Sequence, residues 1–378
     1  MKLKWQLILA AVAGAALVAG GVLAGVPLPT ETLTAKPAID AQGPLFFTGG
    51  ERLLVADVAK FKWLGVIGMP GWRGQYTLNK AGQVILTNTW WERGTTGKRT
   101  DLIEVWDVPT MSKLPTEIEV PPRLALRGND STMLGLSRDE SFLFLQNATP
   151  ATSVTVVDMG RMQFAAEIPL PGCFGIYPVA AAANRFVSLC GDGTATTVTV
   201  DGKGKSAGVA RSAGFFDADA DPLFPKAVRD GDMLYFASFL GSIYQVDISG
   251  ATAKLVDKYS IVSGVEGGWK PASENLMAYS PEYKVLFISM FPKSGNGDHR
   301  VNGKQVWAVD VAGKAVLSRS TVNATSGLAW AAKPVPALIV NNPQAKSLEK
   351  YIVQPDAGYA LYLEKDWVVN SGANIMVR

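Results

Sequence analysis

Apolar and polar side chains alternate along residues 83–121, and this alternation divides the stretch into three predicted strands. The strands cover residues 83–89, 101–108 and 114–120, and a turn that begins at Pro109 separates the last two. A period of two that is bounded by turn residues is typical of half-buried antiparallel strands. The stretch therefore predicts an antiparallel sheet and not a helix.

The same unit recurs along the chain and can be counted by an aspartate at the end of an apolar run. An aspartate suits a strand end because its side chain accepts backbone N–H bonds in the turn that follows. These aspartates are spaced by 43 to 63 residues: Asp57, Asp107, Asp158, Asp201, Asp247, Asp310 and Asp356. Seven units of about four strands each predict an all-β chain, a seven-bladed β-propeller of four-stranded antiparallel blades. A large β-sandwich is the alternative, and the regularity of the units favours the propeller.

Length and charge refine this picture. A chain of 378 residues would by length alone suggest two or three domains. Propeller blades cannot bury their faces alone, however, and must close as one unit. We therefore assign residues 44–378 to one propeller and residues 27–43 to a polar lead-in segment. The net charge is +3 without a clear Lys/Arg cluster, which argues against nucleic acid as a partner.

The N-terminus has a different composition from the rest of the chain. Lys2 and Lys4 precede residues 7–26, in which no side chain is charged or polar. This pattern predicts an export signal over residues 1–26. Twenty apolar residues are also long enough to span a bilayer, so an uncleaved membrane anchor is the alternative. Both interpretations place the folded part outside the cytoplasm.

The chain has two cysteines, Cys173 and Cys190. An even number of cysteines in an exported chain favours a disulfide. A redox-active pair is the alternative, but redox motifs usually place their cysteines two residues apart. We expect a structural disulfide between the two.

Few residues suggest catalysis. His299 is the one histidine and lies in a polar, glycine-rich loop, which excludes most histidine-based metal sites. Residues 217–221 (DADAD) resemble part of a calcium loop but lack its glycine and distal glutamate, so we interpret them as an acidic surface loop. This scarcity of catalytic groups favours a scaffold or a partner subunit.

Tryptophans are the other possible functional markers. Trp106 and Trp307 alternate within predicted strands and are expected to pack between blades. Trp72, Trp90 and Trp91 lie outside the clear strands, where large aromatic residues often mark a contact surface. For Trp90 and Trp91, an interface role and ordinary packing both remain open.

Several stretches resemble the heavy (alpha) subunit of the quinoprotein amine dehydrogenases, the family of methylamine dehydrogenase and aromatic amine dehydrogenase. Residues 171–194 (PGCFGIYPVAAAANRFVSLCGDGT) carry the most specific motif, a C-[FY]-x-I-[FY]-P start and a C-x-D-G finish. Residues 65–69, 93–121, 240–250 and 267–279 also match. The resemblance covers about residues 45–375.

This resemblance implies a periplasmic heterotetramer of two heavy and two light subunits. The light subunit would carry tryptophan tryptophylquinone and the catalytic base, so this chain would bind no cofactor and supply no catalytic residue. The complex would oxidise primary amines to aldehyde and ammonia, with a small blue copper protein (amicyanin- or azurin-like) as electron acceptor. The resemblance also places Trp72 in the substrate channel, on a turn about two residues shorter than the family's. The alternative is that Trp72 folds back over its own blade.

A second function is compatible with the same residues. The chain would then be a free-standing exported propeller that binds a ligand or a protein without catalysis. A quinone-containing light chain that copurifies with this chain would distinguish the two.

Overall fold

The structure, a computed structural model, describes residues 38–41, 43–49, 52–69, 74–126, 131–293, 295 and 297–378. In these residues the chain folds into seven antiparallel sheets, each a blade of the predicted seven-bladed β-propeller. The predicted export segment, residues 1–26, lies outside the described residues. No helix within them is long and apolar enough to cross a membrane.

Blades 1 to 4 each have four strands, which follow one another from the innermost to the outermost. Blade 1 consists of β29 (Ile375–Val377), β1 (Leu45–Gly49), β2 (Arg52–Asp57) and β3 (Lys62–Gly68). Blade 2 consists of β4 (Tyr76–Leu78), β5 (Val84–Trp91), β6 (Arg99–Asp107) and β7 (Ser112–Val120). Blade 3 consists of β8 (Leu134–Leu136), β9 (Phe142–Asn147), β10 (Ser153–Asp158) and β11 (Gln163–Pro169). Blade 4 consists of β12 (Cys173–Pro178), β13 (Arg185–Cys190), β14 (Ala195–Val200) and β15 (Ser206–Arg211).

Blades 5 to 7 complete the ring. Blade 5 consists of β16 (Val228–Asp230), β17 (Met233–Ala237), β18 (Ser242–Asp247) and β19 (Lys254–Ser260). In blade 6 the innermost strand is split into β20 (Lys270–Pro271) and β21 (Met277–Ser280), which both pair with β22 (Val285–Phe291), followed by β23 (Gly303–Asp310) and β24 (Ala315–Thr325). Blade 7 consists of β25 (Gly327–Ala331), β26 (Ala337–Asn342), β27 (Ser347–Gln354) and β28 (Ala360–Val368).

The aspartates that counted the blades lie at equivalent positions, at or just after the end of the third strand of each blade. In six blades the carboxylate accepts a backbone N–H of the turn that follows; Asp57, for example, accepts the Lys60 N–H at 2.7 Å. Asp356 differs, because it lies in a 3₁₀ turn, Pro355–Ala357, that directly follows β27. The spacing therefore reported a real structural repeat.

Half-buried strands were expected over residues 83–121, and this was wrong for β5, in which residues 84–89 are all buried. Other middle strands are also covered. In β9 and β26 every residue is buried, whereas the outermost β19 alternates between exposed and half-buried residues. The middle strands are covered on both faces because each sheet is packed between two neighbouring blades. Their polar residues survive burial by hydrogen bonding, as when Asn147 donates from Nδ2 to Ser153 Oγ at 2.9 Å.

Strand direction divides the surface into two faces. The turns after the first and third strands of each blade lie on one side, which we call the Asp-turn face. The turns after the second strands and the blade-to-blade connections lie on the other, which we call the linker face. This follows because consecutive strands in every blade are antiparallel.

The C-terminus closes the ring. β29 pairs with β1, with Thr48 opposite Ile375, so that blade 1 takes its innermost strand from the far end of the chain. The Tyr76 hydroxyl from blade 2 donates to the Asn374 carbonyl at 2.7 Å, and the Thr48 hydroxyl donates to the Gly372 carbonyl at 2.9 Å. Closure is thus fixed by a ladder and by side-chain hydrogen bonds.

Burial between blades should dominate stability. Trp307 is fully buried, packs against the tilted ring of Trp269 and lies beneath the Arg319 guanidinium, whereas Trp63 on an outermost strand is 57% exposed. We expect Trp307→Ala to lower the free energy of unfolding by about 3–5 kcal/mol, since it leaves a large cavity. Trp63→Ala, the matched control, should cost less than about 1 kcal/mol. Urea denaturation of both variants measures this, and equal losses would contradict it.

Candidate functional site

Four of the candidate site residues named from the sequence are described by the structure, and they lie at strand ends on the linker face: Trp90, Trp91, Cys173 and Cys190. Trp90 and Trp91 are the last two residues of β5 and not part of a loop, so that expectation was wrong. The strand continues because both tryptophans pair across to β6, with Trp90 opposite Thr100 and Trp91 opposite Arg99. Trp72 lies outside the described residues, and its role stays a prediction.

The end of the β5–β6 hairpin is held by one buried carboxylate. Asp101 is fully buried and accepts two hydrogen bonds from the Arg99 guanidinium, each 2.8 Å long. It also accepts the Thr89 hydroxyl at 2.7 Å and the Leu124 N–H at 3.0 Å. A bidentate pair of this kind fixes the guanidinium plane. The Arg99 guanidinium carbon lies 5.8 Å from the centre of the Trp91 ring, so the pair also supports that ring.

Trp90 is on the opposite side of β5 and is 40% exposed. The turn beyond it, residues 92–98, is exposed throughout, yet it is closed by backbone hydrogen bonds such as Glu92 N–H to the Lys98 carbonyl at 3.0 Å. β5 has eight residues, against five to seven in the second strands of the other blades. The hairpin therefore presents an exposed indole on an ordered support.

The two cysteines form a disulfide across the first two strands of blade 4. Cys173 and Cys190 are direct partners in the β12–β13 register, and both are almost fully buried. They belong to the apolar cluster between blades 3 and 4, together with Phe144 and Phe186. Burial shields the bond from dissolved thiols, which supports a structural role and not a redox one.

The acidic segment at residues 217–221 forms a turn stabilised by its own first carboxylate. Asp217 Oδ1 accepts the N–H groups of Ala220 and Asp219, each at 2.9 Å, and these bonds lower the Asp217 pKa. Among the residues that the structure describes, no group of three or more His, Cys, Asp or Glu side chains is arranged to hold a metal ion. His299 is exposed in the short 3₁₀ turn Asp298–Arg300.

Sequence reasoning missed a contact between blades 5 and 6 on the linker face. The Lys270 ammonium lies 4.6 Å from the centre of the Phe239 ring, and the His299 ring is 6.2 Å from the same ring. Leu240, next to Phe239, is 46% exposed. Lys270, Phe239 and His299 are far apart in sequence, so only the blade count combined with strand direction could have placed them together.

It also missed a charged cluster between the same blades on the Asp-turn face. Asp230 Oδ2 accepts the Lys284 ammonium at 2.6 Å and the Tyr279 hydroxyl at 3.0 Å. The hydrogen bond from Lys284 is the main cause of the lowered pKa of Asp230. Burial raises the pKa of Tyr279. The cluster joins two blades and leaves no activated nucleophile.

Comparisons with known proteins give the family. Residues 39–357 match the family profile described as methylamine dehydrogenase heavy chain. The chain belongs to the methylamine dehydrogenase heavy chain family. The matched span contains nearly the whole propeller, including the disulfide hairpin and the β5–β6 hairpin.

Individual heavy chains of this family are distant in sequence. The heavy chain of Methylophilus methylotrophus is 24% identical over 268 residues, which cover 70% of this chain and 65% of that protein. That of Methylorubrum extorquens is 26% identical over 278 residues, which cover 72% and 66% of the two chains. The match thus spans a little less than two thirds of the length of these relatives.

Two solved structures that are at most 15% identical to this chain in sequence support the fold alone. The periplasmic gluconolactonase PpgL of Pseudomonas aeruginosa superposes with a TM-score of 0.61 at 13% identity, covering 88% of this chain and 98% of its own. The dihydro-heme d1 dehydrogenase NirN superposes with a TM-score of 0.57 at 15% identity, covering 90% and 67%.

The disulfide should be formed in the isolated protein and should stabilise it. It joins residues that are 17 apart, a loop for which chain entropy predicts about 3 kcal/mol. We expect the Cys173→Ala/Cys190→Ala variant to unfold at lower urea concentration than the oxidised parent, and the difference to shrink when the parent is reduced. Alkylation of the unreduced, denatured parent followed by mass spectrometry should label neither cysteine. Two labelled cysteines would contradict the bond.

Proposed function

We propose that this chain is the heavy subunit of an amine dehydrogenase. In the complex it would bind a light subunit that carries tryptophan tryptophylquinone, and the complex would oxidise a primary amine to aldehyde and ammonia. The electrons would then pass to a blue copper protein. The observation that carries this proposal is the family match over residues 39–357, which spans the seven blades almost completely.

The chain's own part in this function is to bind and position. The quinone, when bound in the light subunit, would supply the electron-accepting chemistry. We infer that the light subunit docks on the linker face, where the exposed Trp90 and the Trp91 ring supported by Arg99 stand at the end of the β5–β6 hairpin. Tryptophan and arginine are the residue types enriched at interface centres, and an ordered support lowers the entropy lost on binding.

We further propose that the protein works in the periplasm as part of an assembly of two heavy and two light subunits. The basic and apolar N-terminal segment supports export, with cleavage or retention as an anchor both compatible with that location. The buried Cys173–Cys190 disulfide is consistent with an oxidising compartment.

Trp72 is proposed to line the path of the amine to the quinone. A bulky ring there would select substrates by shape alone, without proton transfer. Trp72→Ala should then change the ratio of kcat/KM for large and small primary amines while the heavy–light complex survives. Unchanged ratios across an amine series, with the complex intact, would refute this role.

Purification from the native host tests the function itself. We expect a smaller chain with a quinone absorption band to copurify, and the complex to reduce an artificial electron acceptor when a primary amine is added. This chain produced alone should have no such activity. A protein that is purified without a light chain and binds a ligand or another protein would instead support the free-standing propeller.

The docking surface can be tested separately. Trp90→Ala should weaken the binding of the light subunit by about tenfold or more, because truncation of a central interface tryptophan commonly costs about 2 kcal/mol or more. Trp63→Ala removes an equally large and more exposed side chain from the outer edge of blade 1 and is the matched control. Surface plasmon resonance with immobilised light subunit measures both. Equal affinities for the two variants would remove Trp90 from the interface.

A further inference from the structure

A small cavity lies between blades 2 and 3 and opens toward the Asp-turn face. Its volume is about 240 Å³. Its walls are aliphatic and thioether side chains from both blades: Ile85, Val105, Leu114, Leu136, Met159 and Met162. Ile85 and Val105 are almost fully buried, so the inner part of the cavity is apolar.

Three polar side chains line the same cavity, and they come from the turns at its outer end. Asn79 and Gln83 are bonded to each other, with Asn79 Nδ2 donating to Gln83 Oε1 at 2.8 Å. The third is Glu140, which follows β8 in the neighbouring blade and is half-buried. The cavity therefore has an apolar body and a polar end that carries one carboxylate.

The Glu140 carboxylate has hydrogen-bonding capacity to spare. Its Oε1 accepts the backbone N–H of Lys80 at 2.6 Å. The Lys80 ammonium is directed elsewhere, to the carbonyl of Arg138. Within the described part of the chain, Glu140 takes part in no ion pair, and Oε2 accepts no hydrogen bond.

An unpaired carboxylate beside an apolar cavity favours a cation with an apolar body. An ammonium donates hydrogen bonds and carries the opposite charge, so it suits Glu140, and the hydrocarbon walls suit an alkyl or aryl chain. At about 240 Å³ the cavity is slightly smaller than the pockets that hold drug-sized ligands, so it suits a small ligand of roughly eight non-hydrogen atoms. Benzylammonium and hexylammonium are of that size.

We propose that this cavity binds a primary alkyl- or arylalkylammonium ion, with the ammonium group on Glu140 and the hydrocarbon body between blades 2 and 3. The site is on the Asp-turn face, whereas Trp90 and the proposed light-subunit surface are on the linker face. The chain should therefore bind the amine alone, without a light subunit and without chemical change. The inference does not depend on the proposed oxidation of amines.

Isothermal titration of the purified chain with benzylammonium chloride tests the proposal. We expect one binding site per chain with a dissociation constant on the order of 1 mM, because so small a ligand makes few contacts. Benzyl alcohol, which has the same body without the charge, should bind at least about tenfold more weakly. No saturable binding of benzylammonium, or equal binding of the two probes, would overturn the proposal.

Two variants and a control locate the site. Glu140→Gln keeps an oxygen for the Lys80 N–H but removes the charge, and it should weaken benzylammonium binding by about tenfold or more. Leu114→Phe places a larger side chain in the half-buried wall and should abolish binding by filling the cavity. Glu119→Gln removes an exposed carboxylate from β7 outside the cavity and should leave binding unchanged. Undiminished binding in Glu140→Gln, with the fold intact by circular dichroism, would place the amine elsewhere.

A lysine side chain of another protein would bring the same ammonium chemistry. Nα-acetyl-lysine amide distinguishes a free amine from a protein lysine. Its ammonium group is carried by four methylene groups that end at two polar amides, whereas the rest of benzylammonium is entirely apolar. Tighter binding of benzylammonium supports a free amine as the ligand. Tighter binding of the lysine derivative would overturn that assignment in favour of a protein partner.

Discussion

The structure depends on the burial of both faces of every sheet between its neighbours. In the part of the chain that the structure describes, most buried apolar residues fall into seven clusters, and each cluster draws its members from two adjacent blades. The cluster between blades 1 and 2, for example, joins Phe47 and Val55 to Tyr76 and Leu86. Among the described residues, each apolar cluster is shared by two blades, so a sheet is stable only when both of its neighbours are folded against it.

This constraint explains which parts of the structure were readable in the sequence. The third strand of each blade ends in a tight turn, and the aspartate that serves this turn is a local requirement, so its spacing counted the blades correctly. The burial of both sheet faces could not be predicted, because an apolar run such as residues 142–145 occurs in strands that are covered on one face and in strands that are covered on both. The extension of β5 through Trp91 depended on pairing with Arg99, eight residues away, which no local pattern announces.

The candidate sites illustrate the same limit. The disulfide was predictable from the even number of cysteines and the expected export, and the register of β12 and β13 makes the two cysteines direct cross-strand partners. The cavity beside Glu140 was not predictable, because its walls come from residues 79–162 in two blades and exist only when the ring is assembled. Polar contacts that depend on the assembled ring lie on both faces: Asp232 accepts the N–H groups of Ala180 and Ala181 on the Asp-turn face, and Arg123 pairs with Glu167 on the linker face.

The pairing of β29 with β1 has a consequence for folding during synthesis. A ribosome synthesises residues 45–49 long before residues 375–377, so the inner edge of the first sheet has no pairing partner until β29 has been synthesised. An unpaired edge of this kind is a template for aggregation, and contacts so distant in sequence form slowly. Termination of translation within blade 7 would therefore leave an unclosed ring whose unpaired strand edge is prone to aggregation. A chaperone that binds during synthesis would protect β1 in particular, because β1 is the first of the described strands to be made and stays unpaired on one edge the longest.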